Sequence, residues 1–145
     1  MYVLQEGFWQ QNVTAQSIVS WRGYAFEDVC FNHIEQIKRA LGISGINSSQ
    51  SAWTRAGGSE EGTQIDLIIS RKDNVVNMCE CKFYSGEFSV DKKYDLLLRN
   101  RQDILQEMIP KKSIVYKTLI TTYGIRENEY RWTFDNVITM DDLFR

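Results

Sequence analysis

A chain of 145 residues, 43% hydrophobic and 12% aromatic, can bury one substantial core but not two, so a single compact domain is expected. Its formal net charge of -2 argues against a protein that holds nucleic acid by bulk electrostatics, because counterion release rewards concentrated Lys and Arg. No apolar run nears the roughly 20 residues of a membrane span, and the start lacks the basic residues and long apolar stretch of a secretory leader, so a soluble cytoplasmic protein with no membrane partner is expected.

Residues 1–20 mix aromatics with Gln and Asn without a sustained period and read as an approach segment or linker; residues 21–145 read as the domain. From Tyr24 to Leu41 the apolar residues Phe26, Cys30, Ile34, Ile37 and Leu41 recur at spacings of three and four, one face of an amphipathic helix, and Gly42 is a suitable stop. A Gly, Ser and Asn-rich stretch follows, with a short strand near Ser51 to Arg55. Two β-rich runs, Thr63 to Ser70 and Val75 to Phe83, flank the turn residues Arg71 to Asn74 and predict a hairpin. A second long helix spans about Lys92 to Met108, with Tyr94, Leu97, Leu98, Arg101, Leu105 and Met108 giving its period and Pro110 ending it. Ser113 to Thr122 reads as a strand buried on both faces at its centre, and Val137 to Thr139 as a short one before the terminal Asp-Asp-Leu-Phe. The order predicts an α/β fold, a mixed central sheet of about four to five strands flanked by helices.

Alternation along the hairpin puts Gln64, Asp66, Ile68 and Ser70 on one face and Ile65, Leu67 and Ile69 on the other; on the returning strand Met78, Glu80 and Lys82 oppose Cys79, Cys81 and Phe83. Asp73 lies midway between Asp66 and Glu80, so a hairpin closing symmetrically without a bulge makes the two carboxylates cross-strand neighbours, roughly 4.5–5.5 Å apart at Cβ. Like charges so placed repel unless a cation sits between them or one stays protonated, and a hard ion such as magnesium suits oxygen ligands. Lys82 can place an ammonium near that ion, to hold or deprotonate a water and to stabilise charge on a phosphate. Glu27, at the border of the first helix's apolar face, is a fourth candidate. The plainer alternatives are a solvated Glu-x-Lys face, an edge Asp and an ordinary exposed helix Glu.

Three cysteines, Cys30, Cys79 and Cys81, read as reduced thiols; with His33 they could in principle bind zinc, but without the paired spacing of structural zinc sites. Lys92, Lys93, Arg99, Arg101, Lys111 and Lys112 cluster in sequence, either as a solvated helix face or as a local basic patch.

The series Gly23-Tyr24-Ala25-Phe26-Glu27, Gly62-Thr63-Gln64-Ile65-Asp66-Leu67-Ile68-Ile69 and Cys79-Glu80-Cys81-Lys82 resembles the PD-(D/E)XK phosphodiesterase pattern. That resemblance implies a restriction-endonuclease-like fold, with Glu27, Asp66 and Glu80 as ligands of magnesium or manganese and Lys82 as the catalytic lysine beside Asp66 and Glu80. Longer stretches over Trp21 to Arg145 look like the C-terminal domain of archaeal and bacterial P-loop ATPases, a domain of unknown function. A G-x-x-x-x-G-K-[ST] phosphate loop is missing from these residues, which implies a fragment of a longer ATPase or a free-standing relative.

Two functions follow as expectations. One is a metal-dependent nuclease, with nucleic acid as partner, DNA ahead of RNA, an ATPase part upstream where the chain is a fragment, and a possible homodimer. The other is a non-catalytic nuclease-fold module that docks protein or nucleic acid, with Tyr2, Phe8 and Trp9 available to cover an interface.

Overall fold

The computed structural model describes residues 25–54 and 64–144. The approach segment 1–20 with Tyr2, Phe8 and Trp9, and the flanking Gly23, Tyr24, Arg55 and Gly62, lie outside the described residues.

The chain runs through helix α1 (25–32), α2 (Ile34–Leu41), strands β1 (Ser48–Thr54), β2 (Gln64–Arg71) and β3 (Val75–Lys82), helix α3 (Lys92–Met108), β4 (Ile114–Thr121), a 3-10 turn at Arg131–Thr133, β5 (Asn136–Thr139) and the short helix α4 (Met140–Leu143). The strands form one mixed sheet in the order β1-β2-β3-β4-β5. The first three are antiparallel, while β3, β4 and β5 run parallel. Antiparallel neighbours need only tight turns, whereas β3 to β4 needs a crossover, which α3 supplies. Helices flank both faces, so the expected α/β class holds.

One helix was expected from Tyr24 to Leu41, but the described part is interrupted at His33, whose φ of -120° and ψ of 37° leave the helical region. Its Nδ1 lies 2.7 Å from the Val29 carbonyl oxygen, a local bond that fixes the break. Gly42 ends α2 in the left-handed conformation, φ 75°, as its position predicts. Asp91 caps α3 by accepting from the Tyr94 amide at 2.7 Å. At the other end Ile109 is extended, the conformation forced on the residue before Pro110.

The β2–β3 turn uses residues 72–74, with Asn74 at φ 67° supplying the left-handed residue that a three-residue hairpin loop requires. Pairs Leu67↔Cys79 through Ser70↔Val76 centre the register on Asp73, as expected. Strand β4 is buried on both faces from Thr118 to Thr121, where β5 pairs with it, and alternates before that, with Val115 buried and Ile114 and Tyr116 exposed.

Two apolar clusters sandwich the sheet. On one face Leu98 and Leu105 of α3 meet Ile68, Val76, Met78 and Leu119; on the other Phe26, Cys30, Ile34 and Ile37 meet Leu67, Ile69, Cys79, Cys81 and Ile120. Alternation therefore sorts β3 as expected. It fails in β2: Ile65 joins the α3-side cluster with Ile68, not Leu67 and Ile69. The cause is a bulge, since β1 advances two residues from Ser51 to Trp53 while β2 advances three from Ile68 to Ile65.

Candidate functional site

The bulge falls on Asp66 and Leu67, so Asp66 sits where regular pairing with both neighbours is interrupted. Between Ile65 and Leu67, both fully buried, its carboxylate is half-buried. Asp66 Oδ2 accepts the Cys81 amide at 3.0 Å, and Oδ1 accepts from Gln64 Nε2 at 3.3 Å. A carboxylate has about four lone-pair sites, so each oxygen keeps acceptor capacity.

Glu80 lies on the α3 face of β3 and is completely buried. Arg101 Nη1 donates to its Oε1, and the Tyr94 hydroxyl donates to the same oxygen at 3.3 Å. Lys82 Nζ stands 3.9 Å from that oxygen, with its side chain 31% exposed and its ammonium 5.9 Å from the Tyr94 ring centroid. Glu80 Oε2 is buried and has no hydrogen-bond partner among the described residues. A buried carboxylate oxygen left without a donor costs more than an unpaired neutral group, so Oε2 is an acceptor with unused capacity.

The electrostatics agree with that geometry. Burial, and then the Asp66 charge, push the Glu80 carboxyl up to about 7 against the pull of Arg101 and Lys82. Glu27, half-buried on α1, is likewise raised to about 7 by burial and by Asp66, with Lys82 opposing. Burial lifts the Tyr94 phenol well above its ordinary value, and the Glu80 charge adds to this, so Tyr94 stays a donor.

The structure thus brings Asp66, Glu80 and Lys82 together at one end of β2 and β3. Glu27 joins them through Asp66 and Lys82, but from the α1 side of the sheet, whereas Glu80 faces α3. Among the described residues no three His, Cys, Asp or Glu side chains stand close enough to hold a metal ion as they are. The donor chemistry nevertheless fits a hard divalent ion at Asp66 and Glu80, where acceptor capacity is left over in a site short of positive charge.

Comparison with protein-family profiles, curated proteins and solved structures gives no match. The site therefore rests on its own geometry. Among the described residues no helix is long and apolar enough to cross a membrane.

Sequence reasoning missed Arg101 and Tyr94 as parts of the site. The sequence places Arg101 both in the apolar period of α3 and in a cluster of cations; it is 7% exposed and points inward, as the period has it, whereas Lys92, Lys93, Arg99, Lys111 and Lys112 are exposed. The available signal was spacing, because Arg101 shares an apolar helical face with Tyr94, Leu98 and Leu105. The zinc alternative gains no geometry: Cys30, Cys79 and Cys81 are buried free thiols, and His33 is bonded to the Val29 carbonyl.

Proposed function

We propose that the chain is a metal-dependent phosphodiesterase domain acting on nucleic acid, DNA ahead of RNA. The observation that carries this reading is the buried, unpartnered Glu80 Oε2 beside Asp66, with the Lys82 ammonium within reach of both the carboxylate and solvent. Asp66 and Glu80 would hold magnesium or manganese, with Glu27 completing the set from the α1 side. Such an ion supplies charge neutralisation of a phosphate and an acidified water.

The chain's own groups do the rest. Lys82, held near Glu80, stabilises negative charge on a nonbridging phosphate oxygen and orients the attacking water. Thr121 Oγ1 donates to the Lys82 carbonyl at 2.7 Å, fixing the backbone from which that side chain extends. Tyr94 and Arg101 keep Glu80 in one orientation. As the water oxygen bonds to phosphorus, one ester P–O bond breaks; the water gives up one proton, and the leaving oxygen takes one up, directly or through solvent.

A second reading, a nuclease-fold module docked to an upstream ATPase part or to nucleic acid, is favoured by one observation. Arg101 and Lys82 already compensate Glu80 within the protein, which a purely structural carboxylate would also require. Both readings suit the cytoplasm, and a homodimer would let two sites cut two strands.

The test is cleavage of plasmid and single-stranded DNA by wild type, Asp66→Asn and Lys82→Ala in magnesium, manganese or EDTA. Cleavage that needs metal and is lost in both folded variants supports the phosphodiesterase. Cleavage undiminished in the variants, or none with wild type, removes it and leaves the docking module.

A further inference from the structure

We infer that Arg101 is the site's permanent second cation, so that the centre takes one divalent ion and not two. The inference rests on the metal-dependent reading above and concerns how many ions that reading requires.

Its basis is the unequal use of the two Glu80 oxygens. Oε1 receives Arg101 Nη1 and the Tyr94 hydroxyl and faces Lys82 Nζ at 3.9 Å, while Oε2 receives nothing among the described residues. For Glu80 to bridge two ions with one oxygen on each, both of its oxygens would have to be open. Here Oε1 is committed to a guanidinium anchored on α3, whose side chain is 9% exposed, and only Oε2 is open to a cation. The charge count agrees. Among the described residues three acidic side chains, Glu27, Asp66 and Glu80, meet two basic ones, Lys82 and Arg101, an excess of one acid that a single divalent ion already outweighs and a second would exceed further. A guanidinium is well suited to this role because it stays protonated and directs its donors in a plane. Arg101 is thus a positioning residue: it holds Glu80 by one oxygen and presents the other.

The test counts manganese ions bound per chain by electron paramagnetic resonance, on wild type, Arg101→Gln and Arg101→Lys, each checked for folding by circular dichroism. One ion is expected in wild type and in Arg101→Lys, which keeps the charge. Arg101→Gln should bind its first ion about tenfold more tightly or accept a second, since a like charge beside the ion is gone and Oε1 keeps only the Tyr94 hydroxyl and the more distant Lys82. Two ions in wild type would overturn the inference while leaving the metal reading intact, and this arm needs no variant to fold. Unchanged stoichiometry and affinity in folded Arg101→Gln would also overturn it. No ion bound by wild type would remove the metal reading itself, and this inference with it.

Discussion

Strand β3 carries two fully buried polar side chains three residues apart, Asn77 and Glu80, and their surroundings differ. Asn77 is satisfied at both ends: its Oδ1 accepts from Arg71 Nη1 at 3.2 Å, and its Nδ2 donates to Thr118 Oγ1 at 3.1 Å. Thr118 in turn donates to Asn136 Oδ1 at 3.4 Å, so the ladder ties β2 to β5. Glu80 has every partner on one oxygen and none on the other among the described residues. A closed network specifies how strands align; a network with one open acceptor spends stability on something outside the fold. Burial and polarity alone do not separate a structural group from a functional one. Completeness of pairing is what differs between these two.

The largest break in this contrast comes from removing the cation. Arg101→Met should cost roughly 3–5 kcal/mol at pH 8, since it strands a buried carboxylate, and less at pH 5, where Glu80 is protonated. Urea unfolding at the two pH values measures both.

Next comes the pH dependence of the metal-free protein. The Glu80 carboxyl sits near 7 in the folded chain against an ordinary 4.5, so the folded state holds a proton that the unfolded state has released. The associated stability is fully present below about pH 4.5 and lost as pH rises through about 7, on the order of 3 kcal/mol. Glu27 acts in the same direction, more weakly because solvent screens it. Unfolding in EDTA between pH 5 and 8 should therefore show falling stability, and Glu80→Gln should flatten most of the slope.

Asn77→Ala should cost about 1–3 kcal/mol, since the buried Thr118 hydroxyl loses its Asn77 donor and keeps only the long bond to Asn136 while Arg71 loses one acceptor, with no effect on ion binding. Smallest, Tyr94→Phe removes one hydrogen bond from Glu80 and should cost about 1 kcal/mol by the same unfolding assay.

Much of this was legible in the sequence, for identifiable reasons. The extent of α3 follows from its apolar period and a proline, the α2 end from Gly42, and the β2–β3 register from a turn centred on Asp73. Asp66, Glu80 and Lys82 share one sheet end because a hairpin's register is local. The bulge at Asp66 and Leu67 was not legible: it arises from pairing with β1, a strand whose extent the sequence marked poorly, starting at Ser48 and not near Ser51. Nor was the break at His33, which depends on a side-chain bond one turn away. The period of α3 already put Arg101 on the inward face, but its place in a cluster of Lys and Arg gave no sign of a partner in the core. Its pairing with Glu80 spans 21 residues and depends on how α3 lies across the sheet.

The most direct test is calorimetric titration of magnesium at pH 7.5 into wild type, Glu80→Gln and Asn77→Ala, each folded. The account predicts saturable binding by wild type and Asn77→Ala and none by Glu80→Gln. Equal binding by Glu80→Gln, or no binding by wild type, would contradict the claim that the open oxygen of Glu80 belongs to a metal centre.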